Sequence, residues 1–158
     1  MHFMKEALKL ADKAASLGEV PIGAVIVQNG KIIARGYNKR ETKKNALLHA
    51  EIVAINKACK KLGGWRLPEC SMYVTLEPCP MCMGAIISAR IEKLYFGAYD
   101  EKSGACGSVC NLSDALPHKV LYEGGVMEDE CKAAISGFFK ELREKRKNKQ
   151  KGAKNNEI

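Results

Sequence analysis

The segments His49-Ala50-Glu51 and Pro78-Cys79-Pro80-Met81-Cys82 hold the residues that decide both the fold and the chemistry of this chain. His49, Cys79 and Cys82 offer one imidazole and two thiols. Such a set suits a catalytic zinc ion, which takes three protein ligands and leaves a fourth position to water. Zinc lowers the pKa of that water to near neutrality. Glu51 is not needed as a ligand, so we predict that it carries protons beside the metal.

Apolar periodicity places both segments at the starts of helices. Residues 50–61 have apolar side chains at helical intervals, which puts the histidine and the glutamate of the first segment in a first helical turn. A second helix is predicted to begin at Pro78 or Cys79, because proline is tolerated in a first turn. Cys79 and Cys82, three residues apart, then share one helix face. The partial positive charge of a helix start favours their thiolates.

The cysteine pair has two other interpretations, a redox pair and half of a structural zinc site. A structural site needs a fourth protein ligand, and the chain contains five further cysteines. These are Cys59, Cys70, Cys106, Cys110 and Cys131. None of them repeats the paired spacing of a structural zinc knuckle, so a catalytic zinc site is the favoured interpretation.

The pattern His-x-Glu followed by Pro-Cys-x-x-Cys resembles the signature of the zinc-dependent nucleobase deaminases, a family that includes bacterial tRNA adenosine deaminases. The resemblance extends along most of the chain, from about residue 7 to residue 147. The matching blocks are Val-Pro-Ile-Gly-Ala-Val-Ile-Val at 20–27, Gly-Tyr-Asn at 36–38, Thr-Leu-Glu-Pro-Cys-Pro-Met-Cys-Met-Gly-Ala-Ile at 75–86 and the glycine-rich stretch at 96–108. Residues 45–48 and 117–118 depart from the family pattern.

The resemblance implies a three-layer α/β/α sandwich of the cytidine deaminase-like type, with a central mixed five-stranded sheet. It also implies one zinc ion per subunit and a homodimer in which the neighbouring subunit helps to wall the site. The implied reaction is hydrolytic deamination of adenosine to inosine at the wobble position of a tRNA anticodon, with an arginine tRNA as the expected substrate. A target base must be unpaired or flipped out, and an anticodon loop satisfies that requirement.

The resemblance also implies candidate substrate contacts. Asn38 is implied to hydrogen-bond the purine, which suits an amide because it both donates and accepts; a turn residue is the alternative. Asp100 is implied to contact a neighbouring nucleotide or its ribose, and otherwise caps a helix or loop. Lys102 and Ser103 are candidates to hold phosphate. Arg90 is a further phosphate candidate, with pairing to a surface acid as the alternative.

Length and composition fit one small intracellular enzyme. The chain has 158 residues, 46% of them apolar, which is enough for one substantial core. We expect a single deaminase domain at 1–147 and a basic, disordered tail at 148–158. The apolar runs are too short for a membrane span or a secretory signal, and seven cysteines without an export signal do not predict disulfides. A cytoplasmic location is therefore expected.

Positive charge is concentrated at the end of the chain. The net charge is +8, and residues 140–154 contain eight basic and two acidic residues, a local net charge of +6. Such a segment attracts polyanions at long range. A solvated surface helix is the alternative, and the deaminase signature in the same chain favours RNA.

Helices and strands alternate along the chain, which is typical of an α/β sandwich. An Asn29-Gly30 turn is expected to join the first two strands as a hairpin that supplies one antiparallel pair. Helices are predicted at about 4–17, 50–61, 79–89 and 128–147, and strands at 23–28, 32–37, 72–76, 93–96 and 120–122.

Two rival functions remain open. A zinc-dependent deaminase of a free base or nucleoside, of the guanine or cytosine type, would share the metal signature; the basic C-terminus favours a polynucleotide instead. A non-catalytic, zinc-containing RNA-binding subunit belongs to another class of function. Glu51 argues against it, because a silent subunit has no need of a carboxylate beside the metal.

Overall fold

Five strands form one mixed sheet in the computed structural model, which describes the backbone of residues 1–154 and the side chains of residues 1–150. The order across the sheet is β2-β1-β3-β4-β5. The strands are β1 (Gly23–Gln28), β2 (Lys31–Tyr37), β3 (Cys70–Leu76), β4 (Lys93–Ala98) and β5 (Leu121–Glu123).

Strand directions bring several chain segments to the same edge of the sheet. β1 is antiparallel to both β2 and β3, whereas β3, β4 and β5 are parallel to one another. The sheet therefore has a second antiparallel pair, β1 with β3, in addition to the expected hairpin of β1 and β2. It arises because the chain returns after β2 and places β3 on the other side of β1. As a result β2, β3 and β4 all end at one edge. Asn38, the Glu77-Pro78-Cys79 segment and Tyr99 follow those three strand ends.

Helices cover both faces of the sheet. They are α1 (His2–Ser16), α2 (Arg40–Lys43), α3 (Ala50–Leu62), α4 (Pro80–Ser88), α5 (Leu112–Ala115) and α6 (Glu128–Lys154). α1 and α6 pack on one face, and α3 and α4 enclose the main core on the other. The predicted three-layer α/β/α sandwich with a mixed five-stranded sheet is confirmed.

Backbone contact fixes the start of α3 against the sheet. Gly36 of β2 has no Cβ, and a Cβ there would overlap the carbonyl oxygen of Ala50 and lie 2.7 Å from the nitrogen of Ala54. Any larger residue at position 36 would push α3 away from β2. The glycine thus allows the helix that carries Glu51 to sit directly on the strand.

The structure differs from the sequence prediction mainly at element ends. The four-residue helices α2 and α5 were not predicted, since one turn leaves no apolar periodicity. α6 continues to Lys154 rather than ending near residue 147, because the added residues include good helix formers and no proline. Residues 155–158 of the expected tail lie outside the described residues. Within the described part of the chain, no helix combines the length and apolar character that crossing a membrane requires.

Candidate active site

Two helix starts bring the three predicted metal ligands together. His49 is the N-cap residue of α3 and Cys79 is the N-cap residue of α4, both with extended backbone. Pro80 takes the first position of α4, so that helix begins one or two residues later than predicted. Cys82 lies on the first turn, three residues after Cys79. Each helix start therefore directs its own side chains toward one point between α3 and α4.

The spacing of the ligand atoms suits zinc. The imidazole Nδ1 of His49 lies 3.5 Å from the sulfur of Cys82 and 3.8 Å from that of Cys79. Tetrahedral bonds of ordinary zinc length separate a nitrogen and a sulfur ligand by about 3.5 Å. The three ligand atoms lie within 4.8 Å of one another, and no fourth histidine, cysteine or acid joins them in the described part of the chain. Such an open set of three is typical of a catalytic zinc site.

The three ligands shift one another's pKa values. The Cys82 thiol donates toward the Cys79 sulfur, which lowers the pKa of Cys79 to about 4 and raises the pKa of Cys82. The hydrogen bond with Cys79 also raises the pKa of His49. A metal dication that binds here replaces these protons as the partner of the thiolates.

Glu51 lies beside the cluster with an oxygen that has no partner. The side chain is 4% exposed, and burial raises the pKa of its carboxyl group. Its Oε2 atom makes no hydrogen bond with any described residue. Buried polar atoms are seldom left in that condition, so this oxygen is available to a small molecule bound at the cluster. A carboxyl group with a raised pKa is suited to accept and return a proton there.

Asn38 contacts the start of α3. Its side chain is 3% exposed, and its Oδ1 accepts a hydrogen bond of 2.9 Å from the backbone N–H of Ala50. The amide therefore has the structural role that was the alternative at the level of sequence, and it lies next to His49. The Nδ2 group has no hydrogen bond to the described residues and retains its donors. A purine contact through this group stays a prediction.

Asp100, Lys102 and Ser103 lie in the loop 99–111 between β4 and α5, which we call the β4–α5 loop. Asp100 caps its own turn: its carboxylate accepts the N–H groups of Lys102 and Ser103 at 3.0 and 3.3 Å and the Ser103 hydroxyl at 2.5 Å. Lys102 and Ser103 are exposed and line a cavity of about 720 Å³ between this loop and α6. Contacts of these three residues with substrate stay predictions.

Arg90 is not brought to the metal centre. It follows α4, whose nine residues span about 14 Å at 1.5 Å per residue, so it lies at the opposite end of that helix from Cys79. Its guanidinium donates a hydrogen bond of 3.2 Å to the carbonyl oxygen of Ile87. Its expected phosphate contact also stays a prediction.

Two buried carboxylates near the site were missed by sequence reasoning. Glu19 and Glu77 are each 1% exposed. Glu19 accepts a hydrogen bond of 2.7 Å from the N–H of Thr42, in the segment between Asn38 and His49. Glu77 accepts hydrogen bonds from the β4–α5 loop. For Glu77 a usable signal was an acidic residue directly after an apolar strand, but the sequence did not identify the partners of either carboxylate.

The chain is similar to known deaminases. Residues 1–151 match the MafB19-like deaminase family. A tRNA-specific adenosine deaminase of Bacillus subtilis (strain 168) is 52% identical over 147 residues, which cover 92% of this chain and 91% of that protein.

Solved structures show the same fold. One, from a study of A-to-I editing by tRNA:A34 deaminases at the wobble position of transfer RNA, superposes with a TM-score of 0.82 at 44% identity over 85% of this chain and 99% of its own. A guanine deaminase from Bacillus subtilis superposes with a TM-score of 0.60 at 45% identity, over 62% of this chain and 63% of its own. This chain therefore belongs to the MafB19-like deaminase family and is related over nearly its whole length to a tRNA-specific adenosine deaminase.

Proposed function

We propose that this chain hydrolyses adenosine to inosine at the wobble position of a tRNA anticodon, with one zinc ion per subunit. The observation that carries the proposal is the buried, unpartnered Oε2 of Glu51 beside the cluster of His49, Cys79 and Cys82. Relatives named as tRNA-specific adenosine deaminases support the choice of substrate.

The proposed chemistry divides between the metal and the carboxyl group. Zinc held by His49, Cys79 and Cys82 would supply Lewis-acid activation of water. Glu51 takes one proton from the attacking water and delivers it to a ring nitrogen of the adenine, and it then carries the second proton of that water to the departing amino group. The oxygen of water replaces the amino group on the ring carbon, the carbon–nitrogen bond breaks, and ammonia leaves. The free Nδ2 donors of Asn38, next to His49, are available to an acceptor on the purine.

Charge on α6 supports a polynucleotide substrate. Lys140, Arg143, Lys145, Arg146 and Lys147 are all exposed on the helix. Together they form a cationic surface on the C-terminal half of α6. RNA phosphates release counterions when they bind such a surface, so affinity for the tRNA is expected to depend steeply on salt.

We propose further that the enzyme is a cytoplasmic homodimer and that its substrate is an arginine tRNA. Two exposed apolar side chains near the site, Leu47 at 58% and Val109 at 57% exposure, support a partner surface there. Sedimentation at micromolar concentration tests the dimer. A monomeric protein that is fully active would contradict it.

An inosine assay tests the proposed reaction. The zinc-loaded protein is incubated separately with an arginine tRNA that has adenosine at the wobble position and with free adenosine, guanine, cytosine and cytidine. Inosine confined to the wobble position is the expected result. Ammonia released from a free base, with no inosine in the tRNA, would instead assign the site to small-molecule deamination.

A further inference from the structure

Glu77 is a buried carboxylate that the proposed chemistry does not use. It lies two residues before Cys79 and accepts the backbone N–H groups of Asp100 at 3.0 Å, Cys106 at 2.9 Å and Ser108 at 3.2 Å. The hydroxyl of Ser108 donates a fourth hydrogen bond. All four donors belong to the β4–α5 loop. One side chain thus gathers residues that are up to eight positions apart in that loop.

The loop is shaped around this carboxylate. A Cβ on Gly104 would overlap the carboxyl group of Glu77 and would lie 2.6 Å from the carbonyl oxygen of Asp100. The N–H of Ala105 also donates to the carbonyl oxygen of Pro78 at 2.8 Å, so the backbone reinforces the attachment. The turn that displays Lys102 and Ser103 is therefore attached to the segment that supplies a metal ligand.

The charge of Glu77 is stabilised by the loop and not by a cation. None of the ion pairs among the residues that the structure describes includes Glu77. A buried carboxylate needs hydrogen bonds in place of water, and the loop supplies four. An amide in its place has one accepting oxygen, and its NH₂ group would face at least one N–H donor. A neutral substitute of the same shape therefore holds the loop less firmly.

We propose that Glu77 is a positioning residue for the RNA. It holds the β4–α5 loop at a fixed position relative to the metal centre, so that Lys102 and Ser103 contact the phosphates on either side of the reacting base. The inference rests on the proposed function, because it assumes that this loop contacts the tRNA. Glu77 does not touch the reacting atoms. Its effect is expected in substrate binding, while the three metal ligands and Glu51 remain in place.

The test is the Glu77→Gln variant of the zinc-loaded, full-length protein. Amide hydrogen exchange at Asp100, Cys106 and Ser108 should become about tenfold faster, as expected when one or two hydrogen bonds to a charged group are lost. KM for the tRNA should rise about tenfold, with kcat reduced no more than about threefold. Zinc content should equal that of the unchanged protein.

Two further variants separate positioning from general stability. Ser113→Ala removes a buried hydroxyl that bonds both the N–H and the carbonyl of Val120, outside the β4–α5 loop. It should lower stability without changing KM. Gly104→Ala keeps Glu77 but displaces the loop from it, and should raise KM as Glu77→Gln does.

Several results would overturn the proposal. One is loss of zinc and of kcat in Glu77→Gln at unchanged KM, which would assign the residue to the metal segment. Another is a displaced loop, seen by amide exchange, in a Gly104→Ala protein whose KM is normal. If the unchanged protein does not act on tRNA, the proposed function fails. The exchange rates still report separately whether Glu77 holds the loop.

Discussion

The metal centre and the cationic surface of α6 are built in opposite ways. The centre is made of buried or half-buried side chains from two helix starts that the sheet holds against each other. The surface is a set of exposed lysines and arginines on one long helix. Loss of one buried group of the centre leaves the other groups without their partner. Exposed charges, in contrast, act additively and are screened by salt. Changes in the centre should therefore abolish catalysis, and changes on the surface should weaken binding gradually.

Removal of the metal is expected to have the largest effect. Chelation should reduce deamination to background, because the three ligands alone cannot activate water. It should also lower the melting temperature, since zinc stabilises only the folded ligand set. Stoichiometric zinc should restore both activity and melting temperature. Full activity in a protein shown to be metal-free would contradict the assignment of catalysis to the metal centre.

Glu51→Gln should have the next largest effect. Turnover is expected to fall by roughly 10²–10⁴-fold, the usual contribution of a positioned acid–base group, while zinc content and affinity for tRNA stay unchanged. Single-turnover assays with saturating enzyme measure the change. Glu130→Gln removes one negative charge from an exposed site on α6 and serves as the control. Retained full activity in Glu51→Gln would contradict the role in proton transfer.

Two double variants, one on α6 and one on α3, test the role of the cationic surface. Lys147 and Lys149 are exposed on α6, and Lys60 and Lys61 are exposed near the end of α3. The double variant Lys147→Gln, Lys149→Gln should raise KM for tRNA several-fold with little change in kcat. It should reduce the slope of log affinity against log salt by about 1–2, as expected for two lost phosphate contacts. The matched double variant at positions 60 and 61 should change neither quantity.

Glu19 holds the segment 40–42 and should have the smallest effect on activity. Burial raises its pKa, but the N–H groups of Thr42, Glu41 and Arg40 outweigh that effect and lower the pKa below its ordinary value of 4.5. Its contribution to stability is then complete above pH 4.5 and is lost as the pH falls through the lowered pKa.

Glu19→Gln should reduce the free energy of unfolding by about 1–3 kcal/mol at pH 7 and by less at pH 3. Urea unfolding at the two pH values measures the difference. An equal loss at both pH values would show that the charge of Glu19 does not matter.

The sequence predicted those parts of the site that depend on local structure. Each helix start, and the three-residue spacing of Cys79 and Cys82, is visible within one short segment. The chemistry of one imidazole and two thiols then joined the two segments as a zinc ligand set. The roles of Glu19 and Glu77 could not be predicted. Each carboxylate binds backbone N–H groups of a segment 21 to 31 residues away along the chain, and any residue except proline offers such a group.

The fold was predictable to a similar degree. Apolar periodicity identified every strand, and β1 was predicted with its observed bounds. The length of α6 was underestimated because its last turns carry no apolar face that distinguishes helix from coil. Arg90 was grouped with the substrate contacts, but the structure places it at the far end of α4.

The parallel arrangement of β3 and β4 has an evolutionary consequence. The two strands are adjacent and end at the same edge, so the metal segment and the β4–α5 loop emerge side by side. The exposed residues of that loop can therefore change while the strands, the ligands and the attachment to Glu77 keep their sequence. A change of substrate then needs few substitutions, and the chemistry of the metal centre is inherited with the strands.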